Sequence, residues 1–173
     1  MDFIDFDKKY IHHIHRWNNN PLLSGKLGFD EPQSLEATKD LMDNWLIDDN
    51  RETFIIIHHD KPIGYVTLVN INKKYGSCEL HTVVGEIEFI GQKVCVEVIN
   101  KILSYAFDVL ALNRVSTYSL GNNPKLIKTA LKYGWTQEGI LRQAVRLNNE
   151  YIDYYIFGML KQEFNQRRQI QCQ

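Results

Sequence analysis

The segment from Gly85 to Asp108 has the sequence GEIEFIGQKVCVEVINKILSYAFD. It predicts the end of a strand, a short loop around Gly91, and a long helix from Gln92 to Leu110. Apolar residues recur along that helix at helical spacing, with polar residues between them, so one face is expected to pack on a core. The inward positions are Val94, Cys95, Val98, Ile99, Ile102, Leu103, Ala106, Val109 and Leu110.

The loop before this helix is a candidate anion site. The first N–H groups of a helix have no partner within the helix, and the helix dipole is positive at that end. A glycine loop that leads into a helix therefore suits a pyrophosphate. An ordinary strand-to-helix turn explains the same residues, and a single glycine taken alone favours that simpler interpretation.

The composition is that of an ordinary globular protein. The chain has 173 residues, of which 44% are hydrophobic and 24% charged, enough for one domain with a substantial core. We therefore expect a single domain over residues 1–173, with residues 166–173 as a frayed polar tail. The formal net charge is -1, so neither nucleic acid nor a membrane is an expected partner, and any anion site must be local.

The cysteines and the hydropathy indicate the compartment. The three cysteines, Cys78, Cys95 and Cys172, are scattered and form no CxxC motif. Cys78 and Cys95 are expected to be buried small apolar residues in a reducing compartment. The N-terminus has no apolar segment typical of a signal peptide, and no apolar run has membrane-spanning length. We expect a cytoplasmic protein, and we expect no metal site, because the histidines of segment 12–15 have no Cys or acidic partners nearby.

The periodicities predict an α/β fold. The predicted strands are residues 3–6, 53–58, 63–71, 77–84, 114–120, 135–147 and 151–160. The predicted helices are residues 7–18, 34–48, 92–110 and 124–133, with a loop over residues 21–33. The middle strands form an antiparallel meander, and the strand–helix–strand unit around Gly91 then adds a parallel strand. The result is a mixed, mostly antiparallel sheet of about seven strands flanked by about four helices, with a ligand crevice expected where the pairing changes direction.

Several sequence motifs occur along this order of elements. They are Trp17-Asn18-Asn19 with Pro21, Glu79 in SCELH, Asn123-Pro124, Lys132-Tyr133-Gly134-Trp135, Glu138-Gly139-Ile140-Leu141-Arg142-Gln143-Ala144 and Asn149-Glu150-Tyr151-Ile152-Asp153. Together they resemble the GNAT acetyltransferase superfamily, and most closely its branch of ribosomal-protein N-terminal acetyltransferases and related small-molecule enzymes. The resemblance spans nearly the whole chain. It implies that acetyl-CoA is the cosubstrate, and by analogy with the branch a homodimer is expected.

The resemblance also implies where acetyl-CoA binds. The implied positions are Val83, Val84, Gly91, Gln92, Lys93, Val94, Cys95, Asn123 and Lys128. Gly91 keeps the first glycine of the family's pyrophosphate loop, but Lys93 stands where the family has a second small residue. Its side chain either crowds the approach of the backbone to phosphate or supplies an ammonium donor to it. Asn123 either positions the cofactor or only caps its helix. Lys128 either meets phosphates or lies on a solvated helix face.

The chemistry needs a proton acceptor. An alkyl ammonium has a pKa of about 10, so a base or a water chain must take its proton before the amine can attack a thioester. Glu79 is the first candidate for this base and His81 the second. Alternate residues of a strand face the same side, so both side chains can point to the same site. A structural hydrogen bond or ion pair is the competing interpretation of Glu79.

The leaving thiolate calls for a proton donor or a hydrogen bond. The family's usual donors fall at Ala130 and, in part of the branch, at Leu126, and neither side chain can donate. Tyr118 and Ser119, at the end of the predicted parallel strand, are the substitutes.

The leading prediction is an enzyme, an acetyl-CoA-dependent N-acetyltransferase that works by direct attack in a ternary complex. The acceptor is a primary amine, either a protein N-terminus or a small molecule. The alternative is a non-catalytic acyl-CoA-binding or protein-interaction module on the same fold, which Lys93, Leu126 and Ala130 suggest.

Overall fold

The computed structural model describes residues 1–90 and 93–171 of the chain. Its strands are β1 (Asp2–Asp5), β2 (Glu52–His58), β3 (Lys61–Asn72), β4 (Ser77–Val84), β5 (Arg114–Leu120), β6 (Thr136–Leu147) and β7 (Glu150–Leu160). Its helices are α1 (Ile11–Asn18), α2 (Ser24–Leu27), α3 (Leu35–Ile47), α4 (Lys93–Ser104), α5 (Pro124–Lys132) and α6 (Lys161–Gln171).

The seven strands form one sheet in the order β1-β2-β3-β4-β5-β7-β6. The pairs β1–β2, β2–β3, β5–β7 and β6–β7 are antiparallel. The pair β4–β5 is parallel, with a register from Ser77 opposite Arg114 to Glu79 opposite Ser116. The predicted fold class, a mixed and mostly antiparallel sheet with flanking helices, is therefore confirmed.

The chain divides into two compact units. The first unit comprises Met1–Asn70 and Leu80–Ile102, and the second comprises Ile71–Glu79 and Leu103–Gln173. Each unit has buried residues of its own. The expectation of a single domain stays a prediction.

The core of the first unit is aromatic and aliphatic. Its buried members are Ile14, Trp17, Met42, Ile55, Tyr65 and Val83. Ile14 and Trp17 lie three residues apart and so share the inner face of α1. The Tyr65 hydroxyl donates to Asn18 Oδ1 at 3.0 Å, which satisfies two buried polar atoms, and burial raises the pKa of Tyr65.

Helix α3 begins where the sequence predicts it. Ser34 Oγ accepts from the backbone N–H of Ala37 at 3.0 Å, which is an N-cap bond. The buried residues of α3 are Thr38 and Met42. Two apolar residues of the same helix are not buried: Ala37 is exposed, and Leu46 is 49% exposed.

Segment 21–33 contains a helical turn that the sequence analysis did not predict. Residues Ser24–Leu27 form α2, which Gly28 ends in a left-handed conformation, with φ of +86°. Asn19 closes the base of the segment, because its amide donates to the Gln33 carbonyl and its Oδ1 accepts from the Gln33 N–H, at 3.0 and 2.6 Å. The segment is a closed loop rather than an open connection.

A turn of π-helix, Tyr105–Val109, extends α4, and it shifts the predicted stripe. The Leu110 N–H donates to the Tyr105 carbonyl, five residues back, so one additional residue is accommodated. Phe107 is therefore fully buried, whereas Val109, which the uninterrupted period places inward, is 67% exposed.

The C-terminal residues correct another expectation. Where a frayed tail was predicted from residue 166, the chain is helical in α6 as far as Gln171. Phe164 is fully buried, and its ring lies 5.4 Å from that of Phe107, centroid to centroid. The sequence analysis missed this helix because only one large apolar residue marks its inner face.

The last two strands, β6 and β7, form an antiparallel hairpin. Asn148 and Asn149 connect them with φ values of +49° and +63°. Positive φ at both central residues is the conformation that asparagine tolerates in tight hairpins.

Candidate active site

In the first unit, the connection from β4 to α4 is packed directly against α1. A Cβ on Gly85 would lie 2.1 Å from Trp17 Cγ, so the indole occupies the space that any larger residue needs. The Gly85 N–H donates to the Ile63 carbonyl at 2.8 Å, which binds the connection to β3. This contact gives the glycine a physical reason that the sequence analysis did not find.

A carboxylate strengthens the same packing. Glu86 Oε1 accepts from Trp17 Nε1 at 2.9 Å and pairs with the Arg16 guanidinium. The Trp17-Asn18 motif therefore holds the loop that leads to α4, in addition to filling the core.

The predicted cofactor loop is described only in part. Gly91 and Gln92 lie outside the described residues, and Lys93 is described as the first residue of α4 without its side chain. The role of Lys93, as a phosphate donor or as an obstruction, stays a prediction. Val94 is 7% exposed, and Cys95 is half-buried, with its Sγ 3.5 Å from the Phe89 carbonyl.

Val83 and Val84 end β4. Val83 is buried and Val84 half-buried. A Cβ on Gly64 would lie 2.0 Å from the Val83 carbonyl oxygen, so β3 approaches this backbone as closely as a glycine permits.

In the second unit, Glu79 shares a sheet face with two tyrosines. The register pairs Glu79 with Ser116 on β5, and partners in a ladder point to the same side. Tyr118 follows Ser116 by two residues and so lies on that side as well. The opposite side of these strands is buried, at Cys78, Val115 and Phe157.

The second tyrosine of this face, Tyr154, was missed by the sequence analysis. Tyr118 is opposite Ile156 and Leu120 is opposite Tyr154. The Tyr118 and Tyr154 rings stack with centroids 5.2 Å apart and planes 3° from parallel. Successive residues of a strand point to opposite faces, so Tyr154 and Tyr155 of β7 lie on opposite sides of the sheet. Only the pairing of β7 with β5 places Tyr154 against Tyr118.

Electrostatics connect these three side chains. Burial, then the Tyr118 phenol and then the Glu79 carboxylate raise the pKa of Tyr154 above its ordinary value. A negative carboxylate nearby disfavours the phenolate, so the direction is as expected. Glu79, Tyr118 and Tyr154, which share this sheet face, are called here the Glu79 cluster.

An ion pair crosses the strands beside this cluster. Arg114 on β5 binds Glu138 on β6 with both guanidinium nitrogens, over the intervening strand β7. A Cβ on Gly158 of β7 would lie 2.4 Å from Glu138 Oε1. The hydrogen bond from Arg114 holds the pKa of Glu138 below its ordinary value.

Helix α5 is capped as predicted. Asn123 Oδ1 accepts from the Leu126 N–H at 3.3 Å, so capping is an observed role of Asn123. Lys128 is exposed, as a solvated helix face requires. Ala130 is 8% exposed and Leu126 44% exposed, and neither carries a proton donor.

The remaining predicted residues, His81 and Ser119, differ in their exposure. His81 lies on β4 two residues beyond Glu79, in the first unit, and is exposed. Ser119 is buried, and its hydroxyl donates to the Leu120 carbonyl at 3.2 Å, so it is engaged with the backbone. Within residues 1–90 and 93–171, no group of three or more His, Cys, Asp or Glu side chains is placed to hold a metal ion.

With this geometry established, the chain was compared with known proteins. The family model described as acetyltransferase (GNAT) domain matches residues 4–136. The chain belongs to the GNAT acetyltransferase family. The enzyme class predicted from the sequence, an N-acetyltransferase, is thereby confirmed.

Relatives of this GNAT chain are named for different acceptors. The spermidine N(1)-acetyltransferase of Vibrio cholerae is 26% identical over 163 residues, which are 93% of this chain and 91% of that protein. The putative ribosomal N-acetyltransferase YdaF of Bacillus subtilis is 27% identical over 101 residues, 58% of this chain and 55% of that protein.

Solved structures agree on the fold. The Vibrio cholerae spermidine N-acetyltransferase, in complex with CoA and spermine, superposes with a TM-score of 0.85 at 23% identity, covering 95% of this chain and 97% of that chain. None of the helices in the described part of this GNAT chain has the length and hydropathy needed to cross a membrane.

Proposed function

We propose that this GNAT chain transfers the acetyl group of acetyl-CoA to a primary amine of a small cationic acceptor, most simply a polyamine. The observation that carries the chemistry is the Glu79 cluster. A carboxylate on the same sheet face as two phenols supplies a proton acceptor and proton donors, which amine attack on a thioester requires.

We assign the pyrophosphate of CoA to the start of α4. The first turn of this helix carries no acidic residue, and its N–H groups form an anion site in the way the loop sequence suggests. Glu86 bonds to α1 and so holds the loop before α4 in place without a ligand. Less conformational entropy is then lost when CoA binds. The related Vibrio cholerae enzyme was solved in complex with CoA, which agrees with CoA as the cosubstrate.

Charge in the first unit supports the proposed acceptor class. Segment 30–49 has seven acidic residues against one lysine, Lys39. The acidic residues are Asp30, Glu31, Glu36, Asp40, Asp43, Asp48 and Asp49. Lys8 pairs with Asp43 and Arg51 with Asp48, but the segment as a whole keeps an excess of negative charge. Such a surface attracts polycations, and the relative that is named for spermidine agrees with it.

The test is a thiol-release assay with purified chain, acetyl-CoA and a panel of amines. The panel contains spermidine, spermine, an amino sugar, a monoamine of similar length, and a peptide with a free N-terminus. We expect the polyamines to have the highest kcat/KM, with a KM that rises with salt because screening weakens the attraction. Neutralising Glu36 and Asp40 together should raise the polyamine KM, whereas Glu150→Gln, an exposed carboxylate of the hairpin, should not.

Two results would contradict the proposal in different ways. Turnover confined to the peptide would make a protein N-terminus the acceptor. Binding of CoA without turnover of any amine would favour the non-catalytic module instead.

A further inference from the structure

A histidine at the end of β2 contacts the loop that leads to α4. We propose that His58 is a positioning residue for the CoA site, because its ring holds Phe89 and so fixes the loop that precedes Gly91. This inference rests on the proposed binding of CoA at the start of α4. It goes beyond that proposal, since His58 belongs to none of the sequence motifs.

The backbone of the β2–β3 turn determines where the His58 ring lies. His58 and Lys61 pair across the ladder of the two strands, and only His59 and Asp60 connect them. These two residues have φ values of +47° and +60°, which is the left-handed conformation of a two-residue hairpin turn. His58 is therefore the last residue of a strand whose end is fixed by a tight turn.

This turn lies beside the connection from β4 to α4, within the first unit. The Ile63 carbonyl on β3 accepts from the N–H groups of Gly85 and Glu86, at 2.8 and 3.1 Å. The His58 ring meets the Phe89 ring edge to face, with centroids 5.1 Å apart and planes at 73°. Ring pairs in this geometry stabilise a structure beyond the area that they bury. The β2–β3 hairpin thus holds Phe89.

Phe89 is the residue through which this hairpin acts on the loop. It ends a turn of 3₁₀-helix, Ile87–Phe89, in which Ile87 is 44% exposed. Phe89 itself is half-buried, and its carbonyl accepts from the Cys95 thiol of α4 at 3.5 Å. One residue, two positions before Gly91, therefore joins the hairpin to the helix that is assigned to the pyrophosphate.

His58 acts through its ring and not through a hydrogen bond at Nδ1. That atom is buried, and within residues 1–90 and 93–171 it has no hydrogen-bond partner. The His59 ring also packs edge to face against the His58 ring, with centroids 4.2 Å apart. A phenylalanine at position 58 would make the same ring contacts without burying an unpaired nitrogen.

The consequence for binding is a smaller loss of conformational entropy. A helix N-terminus binds an anion well when the loop before it already presents its backbone in the binding arrangement. Two contacts restrain this loop, the bonds of Glu86 to α1 at its start and the contact of Phe89 with His58 near its end. Loss of the His58 contact should weaken the binding of CoA and leave the acetyl-transfer step unchanged.

The experiment measures the CoA dissociation constant by calorimetry for His58→Ala, His58→Phe and His12→Ala. His12 is an exposed histidine of α1 and serves as the matched control. We expect His58→Ala to raise the dissociation constant about three- to tenfold, with a similar rise in the acetyl-CoA KM and an unchanged kcat. His58→Phe keeps the ring contact and should keep the wild-type affinity, as should His12→Ala.

A double-mutant cycle tests whether the effect passes through Phe89. Phe89→Leu removes the aromatic ring and keeps the backbone carbonyl that accepts from Cys95. If His58 acts through Phe89, adding His58→Ala to Phe89→Leu should weaken the binding of CoA no further. Losses that simply add would contradict a common path. If His58→Ala does not fold, His58→Leu, which keeps apolar volume without a ring, takes its place.

The outcomes distinguish this inference from the proposed function. An unchanged CoA affinity in His58→Ala would overturn the inference alone, even with a lower melting temperature, because the ring would then serve stability only. An equal loss of affinity in His58→Phe would overturn it in favour of an imidazole nitrogen. A wild-type chain that does not bind CoA would overturn the proposed function as well.

Discussion

At the scale of single residues, the environment of Glu79 is the basis for its proposed role as the base. Glu79 is half-buried on a strand, opposite Ser116. A half-buried carboxylate beside two phenols is a typical arrangement for a general base.

Glu79→Gln should lower kcat by tenfold or more, because the amide keeps the shape of the side chain and removes the proton acceptor. The affinity for CoA should be unchanged. Only the amine that is already neutral reacts in the variant, so its rate should keep rising toward pH of about 10. Steady-state kinetics across pH, with Glu97→Gln on the exposed face of α4 as control, check this. A wild-type rate in Glu79→Gln combined with a loss in His81→Ala would transfer the role to His81.

Gly158 lies where the structure leaves no room for a side chain. The Arg114–Glu138 pair crosses β7 in the space above this glycine. An ion pair of this kind, about one third exposed on each side, contributes about 0.2–1 kcal/mol at most, so its displacement alone is a small loss. The steric conflict that a Cβ creates is the larger effect.

Gly158→Ala should lower the free energy of unfolding by about 1–3 kcal/mol, since the new methyl group would overlap with both charged side chains. Urea or thermal unfolding measures this loss. Gly139→Ala, on the neighbouring strand, is the control, because a Cβ there meets nothing within 4 Å. Equal stability of the two variants would show that the ion pair moves aside at no cost.

At the scale of elements, α6 is the clearest departure from the sequence pattern. Eleven residues, Lys161–Gln171, are helical although most of them are polar. The helix is held by the buried ring of Phe164 and by Arg168, which binds the Asp108 carboxylate at 2.7 Å. The bond from Arg168 lowers the pKa of Asp108.

Phe164→Ala should cost about 3–5 kcal/mol, the usual range for a buried phenylalanine. That is a large part of the 5–15 kcal/mol available to a typical domain, so the variant should melt far lower or fail to fold. Gln166→Ala, on the exposed face of the same helix, should be close to neutral. A small effect in Phe164→Ala would restore the original expectation of a frayed tail.

The π-turn after α4 is a second effect at this scale. Helical period alone predicts that Val109 is in the core. Because the π-helical turn contains one additional residue, Phe107 is buried and Val109 is exposed. Because Phe107 is the ring against which Phe164 packs, the turn and α6 depend on each other.

At the scale of the whole molecule, binding and chemistry can be measured separately. The residues at the start of α4, which are assigned to CoA binding, belong to the first unit. The Glu79 cluster, which is assigned the chemistry, belongs to the second unit. A variant that abolishes the chemistry should therefore still bind CoA.

CoA should stabilise the chain by mass action. At a concentration of one hundred times the dissociation constant, the gain is about 2.7 kcal/mol, which for a chain of this size raises the melting temperature by roughly 5–10 °C. Glu79→Gln should show the same rise. Gly91→Val should show none, because a branched side chain blocks the backbone approach to phosphate. Gly139→Val is the control for the added side-chain volume. If CoA raised the melting temperature of Gly91→Val as much as that of the wild type, this loop would not be part of the CoA site.

The sequence by itself determined the order and type of most elements, because hydrophobic period, caps and turn residues are local signals. Strands β4 and β5 begin and end at the predicted residues, and Asn123 and Ser34 cap the predicted helices. Motif resemblance identified the family, and position on the predicted strands selected Glu79 and Tyr118.

What only the tertiary structure decided are the relations between residues distant in the chain. Tyr154 meets Tyr118 through strand register, Gly158 lies under an ion pair formed by two other strands, and α6 is stabilised by one buried ring. None of these has a local signature, because the free energy of each comes from contacts that exist only after the strands and helices have packed.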